Sequence, residues 1–254
     1  MTLAQREDRD TGVGVLDRAV AVLDAVEAGA RTFTEIVEAT GFSRTTTHRL
    51  VRSLVDHELI ALRGGYGYRL GPRLLRFAQR AMTELPLRDI AHPFLERLAE
   101  MTGESAQLYV RSGLERVCID AVPSARELRT IVPVGASLPL TAGSAGKVIL
   151  AFDHFGAPAE RLINEEFKWT EATPVGEDLR RQLSLIARRG WAASSGERQV
   201  GVGSVSAPVF GPFGEFLAAI SVSGPGTRLG RIAAKRYAPA VVATAREIRA
   251  ALTP

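Results

Sequence analysis

The chain predicts an α+β protein in two parts, a helical N-terminal part carrying one small hairpin and a larger part in which strands and helices mix, joined by a linker helix. Three observations carry that prediction. Apolar residues recur at helical spacing between Val13 and His57, interrupted by two short joints. Two strand signals about a glycine turn follow at residues 59–70. Beyond Gly103 the apolar period falls to two, with Gly and Pro turn signals between the runs and no regular βαβ repetition.

With 254 residues, 46% of them hydrophobic, the chain can fill two modest cores. Residues 1–12 are polar and charged without an apolar stretch, so they are expected to form a flexible tail and not a signal peptide. The longest apolar runs, such as Val202 to Val209, fall far short of the roughly 20 residues that span a bilayer, so no membrane partner is expected. A single cysteine, Cys118, excludes an internal disulfide and fits a cytoplasmic location. His48, His57, His92 and His154 show no metal-binding spacing, and neither a metal nor a cofactor is expected.

The first helix spans Val13 to Ala28, where Val15, Leu16, Ala19, Val20, Val22, Leu23 and Val26 interleave with Asp17, Arg18 and Asp24. A second begins at Thr32, with Glu35 placed for a capping box, and ends at Thr40-Gly41. Gly41 and Phe42 make a tight turn, and Ser43 caps a third helix running to about His57. There Leu50, Val51, Leu54 and Val55 share one face, whereas Arg44, Thr45, His48, Arg49 and Arg52 lie away from it. Leu59 to Leu62, the turn Arg63-Gly64-Gly65, and Tyr66 to Leu70 then form a wing.

Charge changes sign at the third helix. Residues 1–42 carry four Arg against eight acidic side chains, and residues 43–80 carry eight Arg against two. An ordinary solvated face would explain the helix arginines alone. The capped turn before them and the basic hairpin after them make the composite of a DNA-reading winged helix-turn-helix over residues 13–71. Candidate DNA contacts are Ser43, Arg44, Thr45, Thr46, His48, Arg49 and Arg52 in a major groove, with Arg63 and Arg69 on phosphates or the minor groove.

The residues Val15-Leu16-Asp17-Arg18-Ala19, Phe42-Ser43-Arg44-Thr45-Thr46-Thr47-His48-Arg49-Leu50 and Tyr68-Arg69-Leu70-Gly71 resemble the DNA-binding domain of the IclR family of bacterial regulators. That resemblance implies operator contacts by Thr45, Thr46 and Arg49.

Pro72 opens the linker helix, residues 72–86, in which Leu74, Leu75, Phe77, Ala78 and Ala81 form an apolar stripe. Such a stripe can pair with its twin or pack on its own domain; the resemblance favours a homodimer or homotetramer. The second domain, residues 87–254, begins with a helix from Leu87 to Met101, which Pro93 is expected to kink. Strands follow at Ser105 to Arg111, Glu115 to Ala121, Leu128 to Val134, Trp191 to Ser195, Ser204 to Phe210 and Phe216 to Ser223. Helices are expected at Ala142 to Phe152, Leu179 to Arg189 and Arg231 to Leu252.

Two features suggest a binding site. The small residues from Thr141 through Ala142, Gly143, Ser144, Ala145 and Gly146 start a helix whose amide groups could receive a carboxylate, or merely allow close packing. The pattern is not a phosphate loop, since Val148 follows Lys147 where Ser or Thr is needed. Ser204 and Ser206 share one strand face, and Ser221 and Ser223 share another, within otherwise apolar strands. These segments also resemble the IclR family, which implies a GAF-like mixed α/β effector-binding domain. By that resemblance a small effector, such as an organic acid, meets Thr141 to Gly146, Ser221 and Ser223, with Glu197 and Ser206 nearby. The phrases Gly103 to Tyr109, Val132 to Gly135 and Gly196 to Arg198 are similar to the actinobacterial branch that controls leucine and other amino-acid biosynthesis. That similarity adds Gln107 and Tyr109 to the pocket and implies an amino acid or a biosynthetic intermediate.

The expected function is therefore a transcriptional regulator, repressor or activator, whose operator affinity changes with a bound metabolite. Two other readings stand beside it. One is a ligand-independent DNA-binding oligomer. The other is a hydrolase with a DNA-binding appendage, using Ser144 or Cys118; its only nearby base is His154, and no orienting acid marks it.

Overall fold

The computed structural model describes residues 14–64, 67–83, 86–154, 156–165, 167–230 and 234–252. The expected tail, the wing tip Gly65-Tyr66 and the first turn of the expected terminal helix, 231–233, lie outside the described residues. The chain divides into two compact units, residues 1–84 and 85–254.

In the first unit, α1 (Gly14–Glu27), α2 (Phe33–Thr40) and α3 (Arg44–Asp56) precede the strands β1 (Ile60–Arg63) and β2 (Gly67–Leu70) and the helix α4 (Pro72–Thr83). Their shared core is Val22, Val26, Ile36, Val51, Leu54 and Ile60. The helix ends follow local chemistry. Thr32 accepts from the Glu35 amide while the Glu35 carboxylate accepts from the Thr32 amide, so both members of the capping box form. Gly41 ends α2 in the left-handed region at φ 68°. Ser43 Oγ accepts from the Thr46 amide at 3.2 Å and starts α3. The wing is tied to the joint between α1 and α2 by Tyr68 N–H to Arg31 O, and its stem is closed by Gly71 N–H to Leu59 O, both 2.8 Å. The first tie forces Gly67: its φ is +71°, and a Cβ there would lie 2.2 Å from Arg31 O. Of the apolar residues in α1, Val15 and Leu16 remain largely exposed, as do Leu75 and Phe77 in α4.

The second unit is built on one antiparallel sheet of six strands in the order β5-β4-β3-β8-β7-β6. These are β3 (Ser105–Ser112), β4 (Glu115–Val122), β5 (Ser137–Pro139), β6 (Ala192–Ser195), β7 (Val202–Phe210) and β8 (Phe216–Pro225). The helices α5 (Pro86–Thr102) and α10 (Ala234–Leu252) cover one face. There Leu95, Leu98, Val241 and Ile248 meet Leu108, Val205, Ile220 and Val222. The opposite face receives α6 (Ser144–Phe152) and α8 (Gly176–Arg189), with α7 (Ala157–Asn164) beside α8. The short α9 (Gly226–Leu229) follows β8. Helix α5 runs unbroken through Pro93.

The expected strand at Leu128 to Val134 does not form. Val132 is buried, but Leu128, Ile131 and Val134 are all exposed, so the alternating burial of a strand is missing. A strand also needs a continuous ladder, whereas the described residues show isolated bonds here, such as those from Ser105 Oγ–H to Thr130 O and from Arg228 to Leu128 O. The edge of β4 pairs instead with Ser137 to Pro139.

Candidate DNA interface and effector pocket

Helix α3 buries Thr47, Val51 and Leu54 and turns Arg44, Thr45, His48, Arg49 and Arg52 to solvent. The helix thus carries a stripe of arginines, with Thr45 and His48 among them, opposite the core. Thr46 is half-buried and bonded to the Ser43 cap, Oγ1 to Oγ 2.9 Å, so it fixes the helix start as well as flanking the stripe. Arg44 stacks over the Phe33 ring at 5.2 Å, and His48 meets that ring edge-on at 6.2 Å. These contacts hold two of the expected contact residues in place. Arg69 is exposed on β2; the Arg63 backbone pairs with Gly67, and its side chain lies outside the described residues.

The pocket lies between the α6 face of the sheet and the start of α6. Period two explains its lining. On β6, β7 and β8 one parity contributes the apolar face under α5 and α10, while the other contributes Ser194, Ser204, Ser206, Ser221 and Ser223 toward α6. The serines bond to one another: Ser144 Oγ lies 2.7 Å from both Ser204 Oγ and Ser206 Oγ, and Ser206 Oγ lies 2.9 Å from Ser221 Oγ. Ser223 Oγ–H donates to Gln107 Oε1 at 3.1 Å.

Helix α6 has no side-chain cap of its own, because Gly143, at φ 90°, holds the N-cap position. Glu197, from the connection between β6 and β7, supplies it: the Gly143 amide donates to Glu197 Oε2 at 3.1 Å. The other oxygen of that carboxylate accepts from Lys147 Nζ at 2.5 Å. Lys147 is 1% exposed and also donates to Gln182 Oε1 and Ala193 O. Thr173 Oγ1–H in turn holds Glu197 O at 2.6 Å. Glu197 thus sits beneath the pocket as a capping and pairing group.

A cavity of about 40 Å³ opens here, with Tyr109, Gly143, Ser144, Ala145, Ser221 and Ser223 in its walls. Gln107, Thr141, Ala142, Gly146, Glu197 and Ser206 are not part of those walls. Gly146 is fixed by packing, since a Cβ there would lie 2.3 Å from Leu140 O. Sequence reasoning missed five polar wall residues, Arg116, Thr130, Ser194, Arg198 and Gln199. Ser204 was visible as the strand mate of Ser206; Arg116 reads as an outward strand residue and gave no signal. The groups of the hydrolase reading do not assemble. Ser144 Oγ is held by serines, His154 is exposed past the end of α6, and burial pushes the Cys118 thiol up to about 12.

The family model for the IclR helix-turn-helix domain matches residues 15–63, and that for the bacterial transcriptional regulator IclR C-terminal domain matches residues 79–250. The chain belongs to the IclR family of bacterial transcriptional regulators. It is 30% identical over 253 residues to the HTH-type transcriptional regulator BhcR of Paracoccus denitrificans, covering 96% of this chain and 88% of the relative. It is 32% identical over 232 residues to the HTH-type transcriptional regulator Rv1719 of Mycobacterium tuberculosis, covering 90% and 88%. Among solved structures, an IclR homologue of Microbacterium hydrocarbonoxydans complexed with 4-hydroxybenzoate matches with a TM-score of 0.79 at 26% identity, covering 94% of this chain and 98% of that one. As an IclR-type protein the chain is a DNA-binding transcriptional regulator with a ligand-binding C-terminal domain, and its families and relatives are regulators, not enzymes.

Proposed function

We propose that this regulator works as a homodimer or homotetramer, places Ser43 to Arg52 of each copy in successive major grooves of a near-palindromic operator, and changes its affinity when a small acid or amino acid enters the pocket. The observation that carries the reading is the cationic stripe of α3, which faces solvent on a helix whose opposite face is the domain core. Arg63 and Arg69 would hold the flanking phosphates. The bound 4-hydroxybenzoate of the Microbacterium relative supports an acidic effector. The likeness of the Gly103 to Tyr109 segment to regulators of amino-acid biosynthesis supports a metabolite of such a pathway.

Titration of the protein against its own upstream DNA at several salt concentrations tests this. Specific binding is expected. Arg49→Ala should weaken it at least tenfold, with the salt slope reduced by about 1 if Arg49 meets a phosphate and base discrimination relaxed if it meets a guanine. Absence of specific binding would refute the operator reading. Specific binding that no amino acid or organic acid shifts would leave a ligand-independent DNA-binding oligomer.

A further inference from the structure

The walls of the pocket carry two guanidinium groups, Arg116 and Arg198, and among its described lining residues no carboxylate. The nearest carboxylate, Glu197, is already committed to Lys147 and the Gly143 amide, so that pair adds no net charge and leaves no free helix-start amide at Gly143. Arg116 is 4% exposed. Its Nη1 donates to Pro139 O and Ala142 O, its guanidinium lies 5.4 Å from the centre of the Tyr109 ring, and its Nε is buried without a hydrogen-bond partner. Burial is the main force bringing its pKa down to about 10; repulsion from Arg198 acts the same way, and attraction from Tyr109 and Glu197 offsets only part of it. A buried cation with neutral partners and a second cation beside it is costly for the folded chain, which is the signature of a site held ready for charge supplied from outside.

We infer that Arg116 and Arg198 set the specificity of this pocket for a small dianion, a dicarboxylate whose two charges meet the two guanidiniums while the serine hydroxyls take its remaining polar atoms. This rests on the reading of the pocket as an effector site and narrows it. A free amino acid fits poorly, because its ammonium finds no acidic wall residue and two arginines repel it. Guanidinium suits the task better than ammonium because its planar fork meets a carboxylate with two parallel bonds.

The test is direct binding to the full chain without DNA, by calorimetry and by shift of the unfolding temperature. The probes are malonate, succinate and malate against acetate, leucine, 4-hydroxybenzoate and dimethyl succinate. At least one dicarboxylate is expected to bind saturably and at least tenfold more tightly than acetate, with leucine and the diester inert. Arg116→Gln should abolish that binding. Arg198→Gln, at a half-exposed position whose loss leaves the fold intact, should weaken it at least tenfold while Arg198→Lys restores part of it. Leucine or the diester binding as well as the diacids, no diacid binding, or unchanged diacid affinity in Arg198→Gln would each overturn the inference. Because DNA is absent, failure here leaves operator recognition standing, and failure of operator recognition leaves this result standing.

Discussion

The Lys147–Glu197 pair offers a quantitative test of what holds the pocket floor in place. Lys147 is 1% exposed and the Glu197 side chain 8%, with Nζ and Oε1 2.5 Å apart. Removing one partner of such a pair strands a buried charge, which costs about 3–5 kcal/mol. Glu197→Gln keeps an acceptor for the Gly143 amide but leaves the ammonium with Gln182 Oε1 and Ala193 O alone. Lys147→Met leaves the carboxylate with one amide. The double variant removes both charges, and what remains is the loss of the lysine bonds to Gln182 and Ala193, about 1–3 kcal/mol. The two single changes should therefore sum to about 6–10 kcal/mol while the double change costs far less, a coupling of at least about 3 kcal/mol. Both tryptophans, Trp169 and Trp191, belong to the second unit, so urea unfolding followed by tryptophan fluorescence reports that unit alone. Each single variant should lower the thermal midpoint by about 6–20 °C. Additive single effects, or a Glu197→Gln protein as stable as the parent, would refute the assignment.

Three further outcomes are expected. Gly67→Ala should destabilise the N-terminal unit by more than about 1 kcal/mol, because the new Cβ meets Arg31 O in a left-handed backbone; calorimetry should show the tryptophan-reported transition unmoved. Thr32→Ala, which removes one half of the capping box, should cost the same unit about 1 kcal/mol, and a change below about 0.3 kcal/mol would count against the cap. Burial holds the Cys118 thiol up at about 12, so a disulfide reagent at pH 8 should label it only as fast as the domain opens; rapid labelling of the native protein would contradict the buried placement.

The N-terminal unit was legible almost residue by residue because its signals are local. Thr32 with Glu35, Gly41 and Ser43 each fix a helix end within four residues, and the wing follows from adjacent glycines. In the second unit, local signals sufficed for most strands but not for the segment 128–134, where Val132 is buried while Leu128, Ile131 and Val134 are exposed and the ladder partner a strand needs is absent. Helix α7 was missed although Pro158 and Glu160 near its start and Arg161 in its last turn are ordinary helix signals; it buries only Ile163, so its apolar period is weak. At the pocket, the serine parity was readable from period two. Arg116 was not, since a strand arginine between Glu115 and Val117 looks solvent-facing until β5 and α6 close over it. Glu197 was legible as a pocket neighbour, but its bond to an amide 54 residues away belongs to tertiary structure alone.

The hydroxyls of Ser204, Ser144, Ser206 and Ser221 form a row with three contacts, and each hydroxyl owns a single proton. Three contacts consume three of the four protons, and since a hydroxyl oxygen accepts up to two bonds, the fourth proton can be left on any one of the four hydroxyls. Both ends, Ser204 and Ser221, reach the cavity. The row therefore always holds one proton in reserve, and a guest that accepts at Ser204 or at Ser221 draws it to that end and so sets the proton order along the whole row. The wall adapts its polarity without moving a heavy atom.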